Sequence, residues 1–183
     1  MKQKILALVF LAAFSIQSFA QEETKNAVFV DFGPTVLGAI AGGFGIGLGY
    51  ERALTSKFSA LGNFSVIGFN IEQNKYFGLA IGVHGRFYPI SGGTAVKKFY
   101  IDLGGTYSNI NMEYSGDKAA SNIIEAGVML GWKFVLGNAS SGLFLEPTAG
   151  WGFVFGEVKV PSGMRPIPVN GGAKFGVNIG YAF

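Results

Sequence analysis

The stretch Phe44-Gly45-Ile46-Gly47-Leu48-Gly49-Tyr50-Glu51-Arg52 decides how this chain folds. Every even position is large, and every odd one is glycine or, at Glu51, acidic. A period of two belongs to a β-strand, whose successive side chains point to opposite faces. This strand therefore has one bulky face and one bare face. With Gly43 just ahead of it, the run Gly43-x-Gly45-x-Gly47-x-Gly49 also invites comparison with a dinucleotide-binding loop. That loop needs a strand before it and a helix after it, and unbroken alternation leaves no place for the helix.

The same pattern returns along the chain. Phe77, Leu79, Ile81, Val83 and Phe87 alternate with Gly78, Ala80, Gly82, His84, Arg86 and Tyr88; Ile124, Ala126, Val128, Leu130, Trp132 and Phe134 alternate with Glu125, Gly127, Met129, Gly131 and Lys133. Leu143, Leu145, Ala149, Trp151, Phe153 and Phe155 oppose Glu146, Thr148, Gly150 and Gly152, and Ala173 to Phe183 repeats the rule once more. Two shorter runs, around Val28–Gly33 and Phe99–Tyr107, behave alike. The stretch from Phe58 to Phe69 breaks parity, with Phe64 and Val66 on one face but Leu61, Ile67 and Phe69 on the other, and a bulge is the simplest expectation there. About eight antiparallel strands are expected, a neighbouring even number staying open because the third is irregular. Turns are expected near Ala53–Lys57, Pro89–Lys98 and Gly137–Gly142, and loops at the opposite end near Ala39–Gly43, Asn70–Lys75, Asn111–Asn122 and Gly156–Gly172, the last being the longest.

The beginning of the chain has a different character. Lys2 and Lys4 precede an apolar run from Ile5 to Phe14 and a small-x-small ending, Ser18-Phe19-Ala20. The pattern is that of a cleaved signal peptide over 1–20, leaving a single domain over 21–183, because the apolar run is shorter than the roughly 20 residues of a spanning helix. Without Lys2 and Lys4 the 14 basic residues become 12 against 11 acidic ones, so the domain is close to neutral. That balance argues against a nucleic-acid partner. The chain has no cysteine, which rules out disulfides, thiolate chemistry and a lipidated cysteine.

Hydrophobic residues make up 49% of the sequence and charged ones only 14%. A soluble barrel that binds ligands would turn its large apolar residues inward and coat its outside with polar ones. Here the alternate face is glycine, alanine, serine and single charges, too small to form a solvated exterior and well suited to the tight interior of an eight-stranded barrel. The bulky face is then expected to meet lipid. Aromatic residues fall near both strand ends: Tyr50, Phe87, Phe99, Trp132, Tyr181 and Phe183 at one, Phe44, Phe77, Tyr107, Phe153, Phe155 and Phe175 at the other. Such rings sit at headgroup level, although aromatics also favour strands in general.

The end of the chain, with Val177, Ile179, Tyr181 and Phe183 at alternate positions, resembles the C-terminal signature read by the barrel-assembly machinery of bacterial outer membranes. The whole domain resembles the small OmpA/OmpX-type barrel class, and the strand ends Tyr50-Glu51-Arg52 and Arg86-Phe87-Tyr88-Pro89 are similar to those of other small barrels. The resemblance implies an all-β, up-and-down transmembrane barrel of about eight strands in the cell outer membrane. Its partners would be outer-membrane lipid and, during biogenesis, the assembly machinery, and the chain is expected to be monomeric.

Candidate functional residues lie on the inward face. Eight fixed charges are expected there, Asp31, Glu51, Arg86, Asp102, Glu125, Lys133, Glu146 and Lys174, with Glu125 and Lys174 toward the outer end and the other six toward the periplasmic end. Charges enclosed in a narrow lumen need partners or water, so a salt-bridged plug is the first expectation and a narrow polar path through cavities left by the small residues the second. His84, the only histidine, is expected to be a hydrogen-bonded lumen residue; alone it makes no metal site, and no Ser-His-acid spacing accompanies it. Met164 and Arg165, between Pro161, Pro166 and Pro168, are candidate contacts for a partner or for lipid headgroups. No cofactor is called for. The expected function is non-enzymatic, structural or surface-interacting through the outer loops. The alternatives are a narrow conduit like the OmpW-type barrels and, more distantly, a lipid-modifying enzyme.

Overall fold

The computed structural model describes residues 25–34, 43–71, 74–90, 96–138, 141–162 and 171–183. The expected signal peptide and the loop contacts Met164 and Arg165 lie outside the described residues. The strands are β1 (Asn26–Asp31), β2 (Phe44–Ala53), β3 (Phe58–Ile71), β4 (Asn74–Phe87), β5 (Lys98–Tyr114), β6 (Asp117–Asn138), β7 (Ser141–Phe155) and β8 (Gly172–Ala182). They form a closed antiparallel barrel in chain order, β8 returning to pair with β1. Closure leaves no free sheet edge along the paired wall. At the seam the amide of Phe183 donates to the Asn26 carbonyl, and the amides of Lys25 and Asn26 donate to the Phe183 carbonyl.

The alternation seen in the sequence becomes the inside and outside of this wall. Large apolar side chains are exposed on all eight strands, among them Val28, Leu48, Phe64, Val83, Leu103, Leu130, Trp151 and Ile179. Rings gather where β1 begins and β8 finishes, hereafter the terminal end: Phe58 with Phe87, Phe99 with Trp132, and Tyr181 with Phe183.

The expected bulge in the third strand is absent. β3 pairs residue for residue with β2, from Gly68 opposite Phe44 to Ser59 opposite Ala53, and with β4, from Phe58 opposite Phe87 to Ile71 opposite Asn74. Its parity is irregular because parts of the interior are apolar. Leu61 points inward and is buried among Phe29, Tyr88, Tyr100 and Phe144, and Ile67 and Phe69 occupy the inward face nearer the far end.

A second difference concerns the expected loop Asn111–Asn122. The strands continue to Tyr114 and resume at Asp117, joined by Ser115 and Gly116 with φ of 48° and 87°. Two successive positive φ values are what a tight right-twisting hairpin turn requires, and glycine takes the second without a steric cost. At 22 residues β6 is about 70 Å of strand at roughly 3.3 Å per residue. It therefore projects well beyond its neighbour β7, whose pairing begins at Phe155 opposite Ile124. Over this projection the outward face turns polar: Tyr107 and Asn109 donate to the Asn122 side chain, Asn111 donates to Asn109, and Lys75 pairs with Glu113. The inward face is covered by the connection after β7, where the Ser121 hydroxyl bonds both the amide and the carbonyl of Lys159, and Asp117 accepts from the amide of Ser162.

The inward glycines do more than thin the wall. A Cβ on Gly49 would collide with the Phe29 ring, on Gly131 with Tyr100, on Gly104 with His84, and on Gly180 with Phe144. Each of these four bare positions accommodates a ring lying across the lumen, so none of them leaves a cavity.

Candidate functional site

Three strands bring the centre of the site together. Glu51 sits near the end of β2, Arg86 near the end of β4 and Glu146 early in β7, all on inward parity at the terminal half of the barrel. Two more charges join them: Asp102 of β5 lies opposite Arg86 in the pairing of β4 with β5, and Lys133 of β6 reaches Glu51 and Glu146. All five are at most 5% exposed.

Arg86 is the hub. Its Nε donates to Asp102 Oδ2 at 2.8 Å, its Nη1 to Glu51 Oε2 at 2.8 Å, and Nη1 and Nη2 reach the two oxygens of Glu146 at 3.3 and 3.2 Å. A planar fork of five donors suits this task, one guanidinium serving three carboxylates. Lys133 supplies the second cation, 2.6 Å from Glu51 Oε2 and 3.2 Å from Glu146 Oε2. The remaining acceptor capacity is filled by neutral donors. The Ser59 and Tyr88 hydroxyls both donate to Glu51 Oε1 at 2.5 Å, and Asn178 Nδ2 donates to Glu146 Oε1 at 2.7 Å. Buried charge is tolerable only when paired and hydrogen-bonded in this way.

Rings complete the plug. The Arg86 guanidinium lies 4.2 Å from the Tyr100 ring centre, and Lys133 Nζ 4.5 Å from that of Phe144. Cations over aromatic faces gain from the ring quadrupole where water is scarce. Below them Val96, in the connection between β4 and β5, is fully buried against this cluster with φ of 89°, a conformation that a β-branched residue adopts only when its surroundings hold it.

Of the eight expected lumen charges, the structure thus joins five. Glu125 and Lys174 form a separate pair toward the far end. Asp31, expected with the terminal group, stands apart: it ends β1, opposite Gly47 and Asn178, and its Oδ1 accepts from the amide of Gly33 at 2.8 Å. His84 Nδ1 lies 2.8 Å from Asp102 Oδ1, so Asp102 links the histidine to the Arg86 hub. Sequence reasoning overlooked the roles of Ser59, Tyr88, Tyr100, Phe29, Phe144 and Asn178. Their inward parity was legible, but nothing in a single strand says which side chains from other strands they meet.

Past the plug the lumen opens into a cavity of about 300 Å³, lined by Asp31, Asn63, His84, Thr106 and the Glu125–Lys174 pair among others. Among the described residues, no group of three or more His, Asp or Glu side chains is arranged to hold a metal ion, and no hydroxyl is hydrogen-bonded to His84. The arrangement closes one half of the barrel with three carboxylates held by two cations and several neutral donors, and leaves a chamber of mixed polar and apolar lining in the other.

No protein-family model matches this sequence, and no curated protein matches it at a significant level.

Proposed function

We propose that this chain is a monomeric integral barrel of a bacterial outer membrane, sealed by its own lumen network, with a structural or surface-interaction role and no catalytic activity. The observation that carries the reading is the exposed band of large apolar side chains running around all eight strands. Soluble proteins rarely expose more than a few hundred Å² of contiguous apolar surface, whereas a spanning barrel needs an outward apolar band about 25 Å tall. The projecting β5–β6 hairpin, with its polar outward face, then stands on the outer side, and the end where the chain termini meet faces the periplasm. The last strand, ending in Tyr181 and Phe183, is the segment offered to the assembly machinery, and the projecting hairpin is the surface offered to partners.

Refolding the purified protein in the presence of phospholipid vesicles tests this. The expected result is co-flotation with the vesicles, a mobility that changes on heating, and protection of β1 to β8 from added protease. A chain that stays soluble, monomeric and folded without detergent or lipid refutes it. The rival reading, a narrow conduit, draws on the cavity in the far half of the lumen. It requires the five-charge network to open, and single-channel steps from a verified barrel would favour it.

A further inference from the structure

The lumen cavity has an uneven chemistry. Among the eight lumen charges, the plug holds three carboxylates against two cations and Glu125 pairs with Lys174, which leaves Asp31 with no cation within ion-pair distance among the described residues, Lys174 lining the same cavity. Two further acceptors are buried without a hydrogen-bond partner, Asn63 Oδ1 and His84 Nε2. The bond between His84 Nδ1 and the Asp102 carboxylate places a hydrogen on Nδ1, which leaves the lone pair of a neutral ring on Nε2. Asn63 Oδ1 fills the space directly in front of Gly82, and His84 Nε2 and Thr106 Oγ1 stand beside it, each 2.9 Å from where a Cβ on Gly82 would lie; all three side chains line the cavity. Phe29, Leu61 and Met129 give the same cavity an apolar wall.

We propose that this cavity binds a small primary amine in its ammonium form. These three acceptors on the cavity wall match the three N–H donors of a primary ammonium group. The unpaired carboxylate of Asp31 supplies the opposing charge in a chamber where an unmatched anion is costly, and the apolar wall takes a short alkyl chain. A volume of about 300 Å³ is at the small end of ligand sites and suits a small molecule. The site depends on the closed barrel and not on the membrane that surrounds it, so it stands or falls separately from the proposed location.

The test is a titration of the full chain, refolded in a zwitterionic detergent and verified by heat-modifiable mobility, with n-butylammonium chloride as probe. Amide and side-chain nuclear resonances of Gly82, His84 and Thr106 are followed, with n-butanol and sodium chloride as separate controls. Saturable shifts confined to the cavity with butylammonium alone are expected, and Asn63→Leu and Asp31→Asn should each weaken binding at least tenfold. If Asn63→Leu does not fold, Thr106→Val takes its place with the same expectation. Equal shifts with n-butanol would mean an apolar cavity only, equal shifts with sodium a general response to cations, and unchanged affinity in the variants a different site; each of these overturns the proposal.

Discussion

Replacing Arg86 by alanine removes the one group that touches all three carboxylates of the plug. In the native protein Glu51, Asp102 and Glu146 face two cations; in Arg86→Ala they face Lys133 alone, and Asp102 keeps only His84. Arg86 is 5% exposed and Glu51 and Glu146 are fully buried, so water cannot readily screen the excess. Breaking a buried ion pair by deleting one partner costs about 3–5 kcal/mol, because the stranded charge loses both its solvation and its partner. Loss of the stacked Tyr100 ring contact acts in the same direction. We expect the urea midpoint of the refolded barrel, read by fluorescence of Trp132 and Trp151, to fall by the equivalent of about 3–5 kcal/mol with little change in slope. Adding Glu51→Gln to Arg86→Ala should recover part of that loss, since it removes one stranded charge, and the two effects should differ from additivity by about 0.5–3 kcal/mol. A loss below about 1 kcal/mol, or strict additivity, would mean that the lumen is hydrated enough to screen these charges, and the sealed-plug account would fail.

Other consequences can be checked separately. Gly131→Ala drives a methyl group into the Tyr100 ring and should cost about 1–3 kcal/mol, whereas Gly62→Ala, on the outward face with nothing within 4 Å of the new methyl, should be neutral or slightly stabilising; equal effects would remove the cradle role of the inward glycines. Leu103→Arg places a charge in the middle of the exposed apolar band and should destabilise the vesicle-inserted barrel by about 2–4 kcal/mol; no penalty would contradict a lipid-facing wall. At the projecting hairpin, the hydrogen bond and charge of Lys75 hold the Glu113 carboxyl below its usual range. A lowered value in the folded state means that the pair's contribution is present above the ordinary glutamate pKa and is lost as pH falls through the folded one. The protection of the Ser115 and Gly116 amides, taken relative to the intrinsic exchange rate at each pH, should accordingly fall on acidification, and Glu113→Gln should abolish that loss of protection while leaving protection elsewhere unchanged.

The sequence by itself determined a good deal of this protein. Alternation along Phe44–Arg52 and its repeats established strands, their number and the facing of nearly every side chain, because the two-residue period is a property of the extended backbone alone. Where the pattern was irregular, at Leu61, Ile67 and Phe69, parity misled, since it presumes that small and large residues sort cleanly between inside and outside, and this interior is partly apolar. The Ser115–Gly116 turn left a signal too, a Ser-Gly pair inside a continuing alternation, masked by the polar residues around it. Which inward charges meet was decided only by the tertiary structure. Lys133 reaches Glu51 across 82 residues and Arg86 reaches Glu146 across 60, while Asp31, of the same parity and charge, is left outside the plug. Period fixes the face on which a side chain stands; its height in the barrel follows from the stagger at which all eight strands close, and that is a property of the whole wall.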